Sequence, residues 1–331
     1  MNDRYMKEGK GLFLVTLDFE MLWGIETAKA TPEWRCRVAN VHTVIPRLLE
    51  LFERYEISAT FAAVGMLLHD SVASIRGSEP DLLPSYKDKS LSPYLSLWKF
   101  KEEDGVYYCG KHLLEMIKEA GRHEIASHTY SHYYCLAEGQ TQEQFRADLG
   151  KNIAIASANK IKIGSLVFPR NEFNTDYLNI CEELGINVVR SNPRQWMWKD
   201  GGQMGHWLPR QIRRACRLLD HYVGPYNYFS PQDLLASPVV QLPASRFLRP
   251  VSRFGKFLEP LRLRHIKNEM AYAAKNNLGY QLWWHPHNMG VDMDENLAFL
   301  EKVLSHFQRL REEYNFQSVT MNYFKTFVER K

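Results

Sequence analysis

The sequence predicts an α/β barrel-like fold, and three observations carry the prediction. Short apolar runs rich in strand formers alternate with helical segments over most of the 331 residues. The chain begins strand–helix–strand, an order that implies a parallel crossover with the helix packed outside. Asp18, His128, Arg170 and His285 each fall just past the end of a predicted strand. That rim is where parallel barrels gather their reactive groups.

The elements follow in order. Gly11 to Phe19 (GLFLVTLDF) reads as a buried strand ending in acids. Val41, Val44, Ile45, Leu48, Leu49 and Phe52 lie at helical spacing between Asn40 and Tyr55, with Asn40 as a cap. Ile57 to Val64, closed by Gly65, is the second strand. Residues 66–105 carry Pro80, Pro84 and Pro93 and read as an excursion from the core. Helices are expected at 111–120, 141–159 and 174–184, each followed by a short strand or preceding one, at 123–127, 165–169 and 186–190. A second insertion spans 193–277, rich in arginine and aromatics, with its last part (262–276) helical. The strand Tyr280 to Trp284, a long helix at 296–314 and a last strand at 316–320 complete one domain.

Composition places few limits on function. A hydrophobic content of 45% and a charged content of 24% are ordinary for a globular protein. Five scattered cysteines without a C-x-x-C pair suggest free thiols in a reducing compartment. The polar start and the lack of a spanning apolar run give the expectation of a cytoplasmic protein. A net charge of +4 makes no case for nucleic acid. The charge is uneven, however: 190–267 holds 14 Lys and Arg against four acids.

The chemistry starts from His128-Thr129-Tyr130-Ser131-His132. Two histidines four residues apart share one face if the backbone there is helical, so both imidazoles can meet one metal ion. Asp18 and Glu20, at i and i+2, lie on the same side of an extended chain. One can bind the metal while the other accepts a proton from water. Two histidines and one carboxylate leave coordination positions open, as a catalytic site requires. Arg170 beside a carboxylate would hold it ionised. His285 and His287, fixed by Pro286, offer a proton donor.

Together these residues resemble the polysaccharide deacetylases of carbohydrate esterase family 4, the chitooligosaccharide and peptidoglycan deacetylase group. Val15-Thr16-Leu17-Asp18, Ala59-Thr60-Phe61 with Gly65, His123-Glu124-Ile125 through His132, and Leu282 to His285 match its motifs in order. The resemblance implies a distorted (β/α) barrel with large insertions and one divalent metal, zinc-like, whose bound water attacks an N-acyl carbonyl. By position it makes Asp18 the base, His128 and His132 metal ligands, Arg170 the support of the base and His285 the acid. Three departures stand out. Phe19 follows Asp18 where the family has a second aspartate, so Glu20 becomes the third ligand, as in a D-x-E variant, or the two carboxylates exchange roles. The arginine of the third motif is displaced within Phe168 to Phe173. Neutral Gln195, beside Trp196, stands where an acid would support His285.

The expected activity is hydrolytic N-deacetylation or deformylation of an amino sugar in cell-surface glycan biosynthesis, with Trp284, His287 and Asn171 on the substrate. A nucleotide- or lipid-diphosphate-linked sugar fits the cytoplasmic expectation. Arg246-Phe247-Leu248-Arg249 and Arg253-Phe254-Gly255-Lys256-Phe257 alternate cations with aromatics, which suits phosphate at a lipid surface and gives the expectation of peripheral membrane contact through 246–267. The competing reading is an inactive glycan- or membrane-binding protein on the same scaffold.

Overall fold

The computed structural model describes residues 10–25, 30–193, 210–234, 238–251 and 255–327. Among the described residues nine strands form one sheet: β1 (Leu12–Phe19), β2 (Ala59–Ala63), β3 (Glu124–Ser127), β4 (Ser165–Val167), β5 (Val188–Ser191), β6 (Val240–Pro243), β7 (Arg246–Phe247), β8 (Gly279–Trp284) and β9 (Gln317–Val319). The order is β6-β5-β4-β3-β2-β1-β8-β7, every pairing parallel, with β9 beside the first half of β1.

β6 and β7 stand at opposite ends of that path, yet only Ala244 and Ser245 separate them. Three Cα steps reach about 11 Å at most, so the sheet must curl until its edges nearly meet. The linking residues bond to both sides: Ala244 N–H donates to Ser191 O (2.9 Å) and Ser245 N–H to Gln281 O (3.0 Å). The result is the distorted (β/α) barrel that the sequence predicts.

Strand alternation divides the core in two. Phe13, Val15, Leu17 and Phe19 of β1 point outward, where they pack with Val44, Ile45, Leu48 and Phe52 of the helix Val41–Arg54 and with the helix Met293–Tyr314. Burying these apolar faces is the main stabilising term, roughly 1.5–3 kcal/mol per large side chain. Leu12 and Leu14 point inward and meet Ala62, Ala126, Val167, Val188, Val240 and Leu242, with Met321 and Phe324 closing that layer. Above it on the same inner face come Thr16 and Asp18, both buried. The same parity puts His128 above Ala126, Arg190 above Val188 and Trp283 above Gln281.

The stretch 66–105 holds only short helical turns. Among the described residues no helix is long and apolar enough to cross a membrane.

Candidate metal centre

β1 delivers Asp18 and Glu20 to the rim, both about 95% buried. β3 delivers His128, and the chain then turns sharply to present His132. This turn is not the helix that would put two histidines on one face. Thr129 (φ 63°) and His132 (φ 58°) sit in the left-handed region, which costs a non-glycine residue energy. The turn persists because its polar groups are held. Asp148, on the helix Gln142–Ala158, accepts from Tyr130 N–H (2.7 Å), Ser131 N–H (3.2 Å) and the Ser131 hydroxyl. One turn further on, Asn152 donates to Thr129 O (3.0 Å), and Thr129 Oγ1 accepts from Tyr133 N–H (2.7 Å). A Cβ on Gly65 would overlap Asn152 and Tyr130, so only glycine lets β2 end against this turn.

Glu20, His128 and His132 converge: one ligand atom from each lies within 4.8 Å of the others. His132 Nε2 is 2.9 Å and His128 Nε2 3.5 Å from Glu20 Oε2. His128 Nδ1 donates to Val167 O at 2.8 Å, which turns Nε2 toward Glu20. His132 Nδ1 is buried without a hydrogen-bond partner among the described residues. Burial would raise Glu20, but His285, His128 and His132 hold it well below the ordinary carboxylate range. An ionised carboxylate facing two imidazole nitrogens is the donor set of a catalytic divalent-metal site. The residues present fit such an ion.

The arginine on Asp18 is Arg190. Its Nη1 and Nη2 donate to Asp18 Oδ1 (2.6 Å) and Oδ2 (2.7 Å), its Nη1 also to Thr16 Oγ1 (3.2 Å), and its face lies over Trp283 at 4.3 Å. Burial would raise Asp18, yet Arg190, His128 and His285 bring it below its usual value. Arg170 was expected in that place. Instead Pro169 to Asn171 make a one-turn helix with left-handed Arg170 (φ 57°) and Asn171 (φ 53°), which takes Arg170 out of strand register. Its guanidinium stacks on Tyr134 at 4.1 Å, in the pocket wall. Asn171 also lines the pocket, and its Oδ1 accepts from Arg190 Nε (3.1 Å) and Nη2 (2.9 Å).

His285 joins the rim with Nε2 3.5 Å from Glu20 Oε1 and 3.8 Å from Asp18 Oδ2. Its Nδ1 lies 3.3 Å from Asn288 Oδ1, three residues on. Gln195 and Trp196, the residues expected beside this histidine, lie outside the described residues. The two other aromatic expectations are corrected. Trp284 points outward, fully buried against Phe52, because it sits one residue from inward-facing Trp283. His287 lies beneath His285, rings stacked at 5.0 Å, and burial together with His285 takes it down to about 3. Trp283 and Phe247, 4.7 Å apart, are the aromatics that line the pocket.

The pocket encloses about 350 Å³ between the rim and the helix Arg210–Val223. Its far wall includes Arg246, which sequence reasoning assigned to a lipid surface together with Arg262. Both are buried. Arg246 is locked by Glu269 (2.6 Å twice), by Asp220 O (2.6 Å) and Oδ2 (3.2 Å), and by His265 Nε2 (3.1 Å). Arg262 is bound to Glu259 and to Arg249 O. Arg253 and Phe254 of the same stretch lie outside the described residues.

Residues 35–189 match the polysaccharide deacetylase family model. Over that span the chain carries a polysaccharide deacetylase domain. This family hydrolyses amide bonds of acetylated sugars and depends on a metal, and the chain is an enzyme of this class. Similar solved structures include a Mycobacterium smegmatis protein assigned as a polysaccharide deacetylase (15% identity, 98% of this chain and 92% of that one, TM-score 0.60). A probable polysaccharide deacetylase from Pseudomonas aeruginosa PAO1 follows (12%, 97% and 91%, TM-score 0.58), as does Puue allantoinase (11%, 98% and 92%, TM-score 0.57). These likenesses establish the fold. A shorter match, 34% identity over 77 residues, is to tRNA-specific 2-thiouridylase MnmA of Thermosipho melanesiensis; it spans 23% of this chain and 22% of that protein.

Proposed function

We propose that this deacetylase removes the N-acetyl or N-formyl group of an amino sugar, using one divalent ion, zinc-like, held by Glu20, His128 and His132. The observation that carries the reading is the arrangement of Asp18 against that triad. Asp18 is inside the same pocket, ionised and locked by Arg190, while Glu20 is the carboxylate that meets both histidines. This assigns the two carboxylates different tasks.

When bound, the ion supplies Lewis-acid chemistry: it polarises the amide carbonyl and makes water a stronger nucleophile at neutral pH. The chain does the rest. Asp18 holds its charge because Arg190 and Thr16 fix it, and its carboxylate takes a proton from the attacking water. His285, across the pocket, carries a proton at Nε2 to the departing amine. Asn288 aligns its ring, replacing the acidic support expected from the family pattern. Trp283 and Phe247 offer an apolar wall on which a sugar ring can stack. Their planes are 53° apart, so only one of them can lie flat against the ring.

The test is primary-amine release from N-acetyl and N-formyl amino sugars supplied free, nucleotide-linked and polyprenyl-diphosphate-linked. Release should be lost with a chelator and regained with zinc or cobalt. Protein that holds stoichiometric metal yet frees no amine from any of these substrates would overturn the reading.

A further inference from the structure

The helix Arg210–Val223 is mounted the wrong way round for an isolated soluble protein. At 100° per residue, Ile212, Leu219 and Val223 share one face, and Arg217, Asp220 and His221 the other. A surface helix ordinarily buries its apolar stripe. Here Asp220 and His221 are buried, whereas Ile212, Leu219 and Val223 are 45%, 59% and 66% exposed. The orientation is fixed, because the Asp220 carboxylate and carbonyl both bind Arg246, whose five N–H groups are all engaged by Asp220, Glu269 and His265. Rotating the apolar face inward would break that buried network and strand a charge in the interior. The neighbouring helix Glu259–Lys275 packs against it, and the turn before that helix exposes Phe257, followed by exposed Leu261. Lys256 and Arg264, both exposed, flank these two residues.

We propose that this face docks on an anionic lipid bilayer, with the outer stripe of the helix Arg210–Val223 entering the headgroup–acyl boundary. An apolar stripe on a helix with cationic surroundings is the pattern of an interfacial helix. The charge decides between occupants. Lys256 and Arg264, the exposed charges beside Phe257 and Leu261 among the described residues, are both cationic, so a second copy of the chain would bring like charge to like, whereas anionic headgroups would meet the opposite sign. The inner face of the same helix gives Arg217 and Asp220 to the pocket wall. Docking therefore holds the pocket within about one helix diameter, about 10 Å, of the lipid.

Flotation of the full chain with vesicles tests this without reference to catalysis. The protein is expected to float with phosphatidylcholine vesicles containing about 30% phosphatidylglycerol, less so as salt is raised, and to remain unbound with phosphatidylcholine alone. The double variant Leu219→Glu, Val223→Glu should bind about tenfold or more weakly, because charge replaces the inserted apolar area. Its unfolding temperature should be unchanged, since both side chains are exposed. Absence of wild-type binding, or equal binding by the variant, overturns the proposal. So does a dimer in solution that the variant dissolves, which would make a second copy the occupant. A marked fall in the variant's unfolding temperature also overturns it, by showing that the chain's own residues cover the face.

Discussion

Arg190 grips both oxygens of Asp18, at 2.6 and 2.7 Å, across 172 residues of sequence. The pair is almost completely buried, so each partner depends on the other for its solvation. Arg190→Lys keeps the charge but loses the paired geometry. It should lower kcat/KM about 30- to 150-fold, since a hydrogen bond to a charged group is worth about 2–3 kcal/mol. Arg170→Gln should instead raise KM more than it lowers kcat, because Arg170 stands in the pocket wall on Tyr134. Steady-state kinetics of the two variants separates these roles; equal loss of kcat in both would reject the assignment.

The carboxylates should separate in the same way. Asp18→Asn is expected to lose about 10²- to 10⁴-fold in amine release, the usual contribution of a general base, while metal content stays stoichiometric. Glu20→Gln and His128→Ala should lose the metal as well, read by elemental analysis. If Asp18→Asn lost the metal and Glu20→Gln kept it, the two roles would have to be exchanged.

Asp148 touches no substrate, yet it fixes the turn between the two histidine ligands through two amides and a hydroxyl. Asp148→Ala strands those donors in the interior, at about 1–3 kcal/mol for each unsatisfied group. The expected result is weaker metal binding by competition with a chelator, with part of the affinity kept in Asp148→Asn, which can still accept one bond. Unaltered metal affinity in Asp148→Ala would mean that the turn holds its shape without this anchor.

Stability should fall as the solution is acidified below about pH 6.5, before most carboxylates titrate. Burial takes His69 and His123 down to about 4. Each stays neutral in the folded chain while its unfolded counterpart takes up a proton between about 6.5 and 4. The unfolded state binds more protons in that window, so stability is present above it and lost as pH falls through it. Asp148 opposes this. Burial pushes it up to about 7, so the folded state holds an extra proton from about 4 to 7 and gains on acidification. Thermal unfolding against pH reads the balance. Replacing His123, whose Nδ1 accepts from Ala59 N–H, by Asn should flatten the acid slope; an unchanged slope would remove His123 from the account.

Much of the site was legible in the chain because it rests on local rules. The apolar run of β1 with acids at its end, the strand before His128 and the strand before His285 place these groups at one rim by parity and direction alone. Parity also held the signal that was missed. His285 faces inward, so Trp283 does too and Trp284 does not. Arg190, two residues beyond inward-facing Val188, points at the site for the same reason. What sequence could not determine is which cation pairs with which acid. Arg170 is a plausible partner for Asp18 until Pro169 and two left-handed residues turn it away. Arg246 and Arg262 read as surface charge until the fold buries their partners beside them. Such pairings depend on distances across the closed barrel, between residues far apart in the chain. The sequence by itself determined seven of the nine described strands and which residues gather at one rim; only the tertiary structure decided β6 and β7 within the insertion, the partner of Asp18 and the outward apolar face of the helix Arg210–Val223, because these depend on contacts between distant parts of the chain.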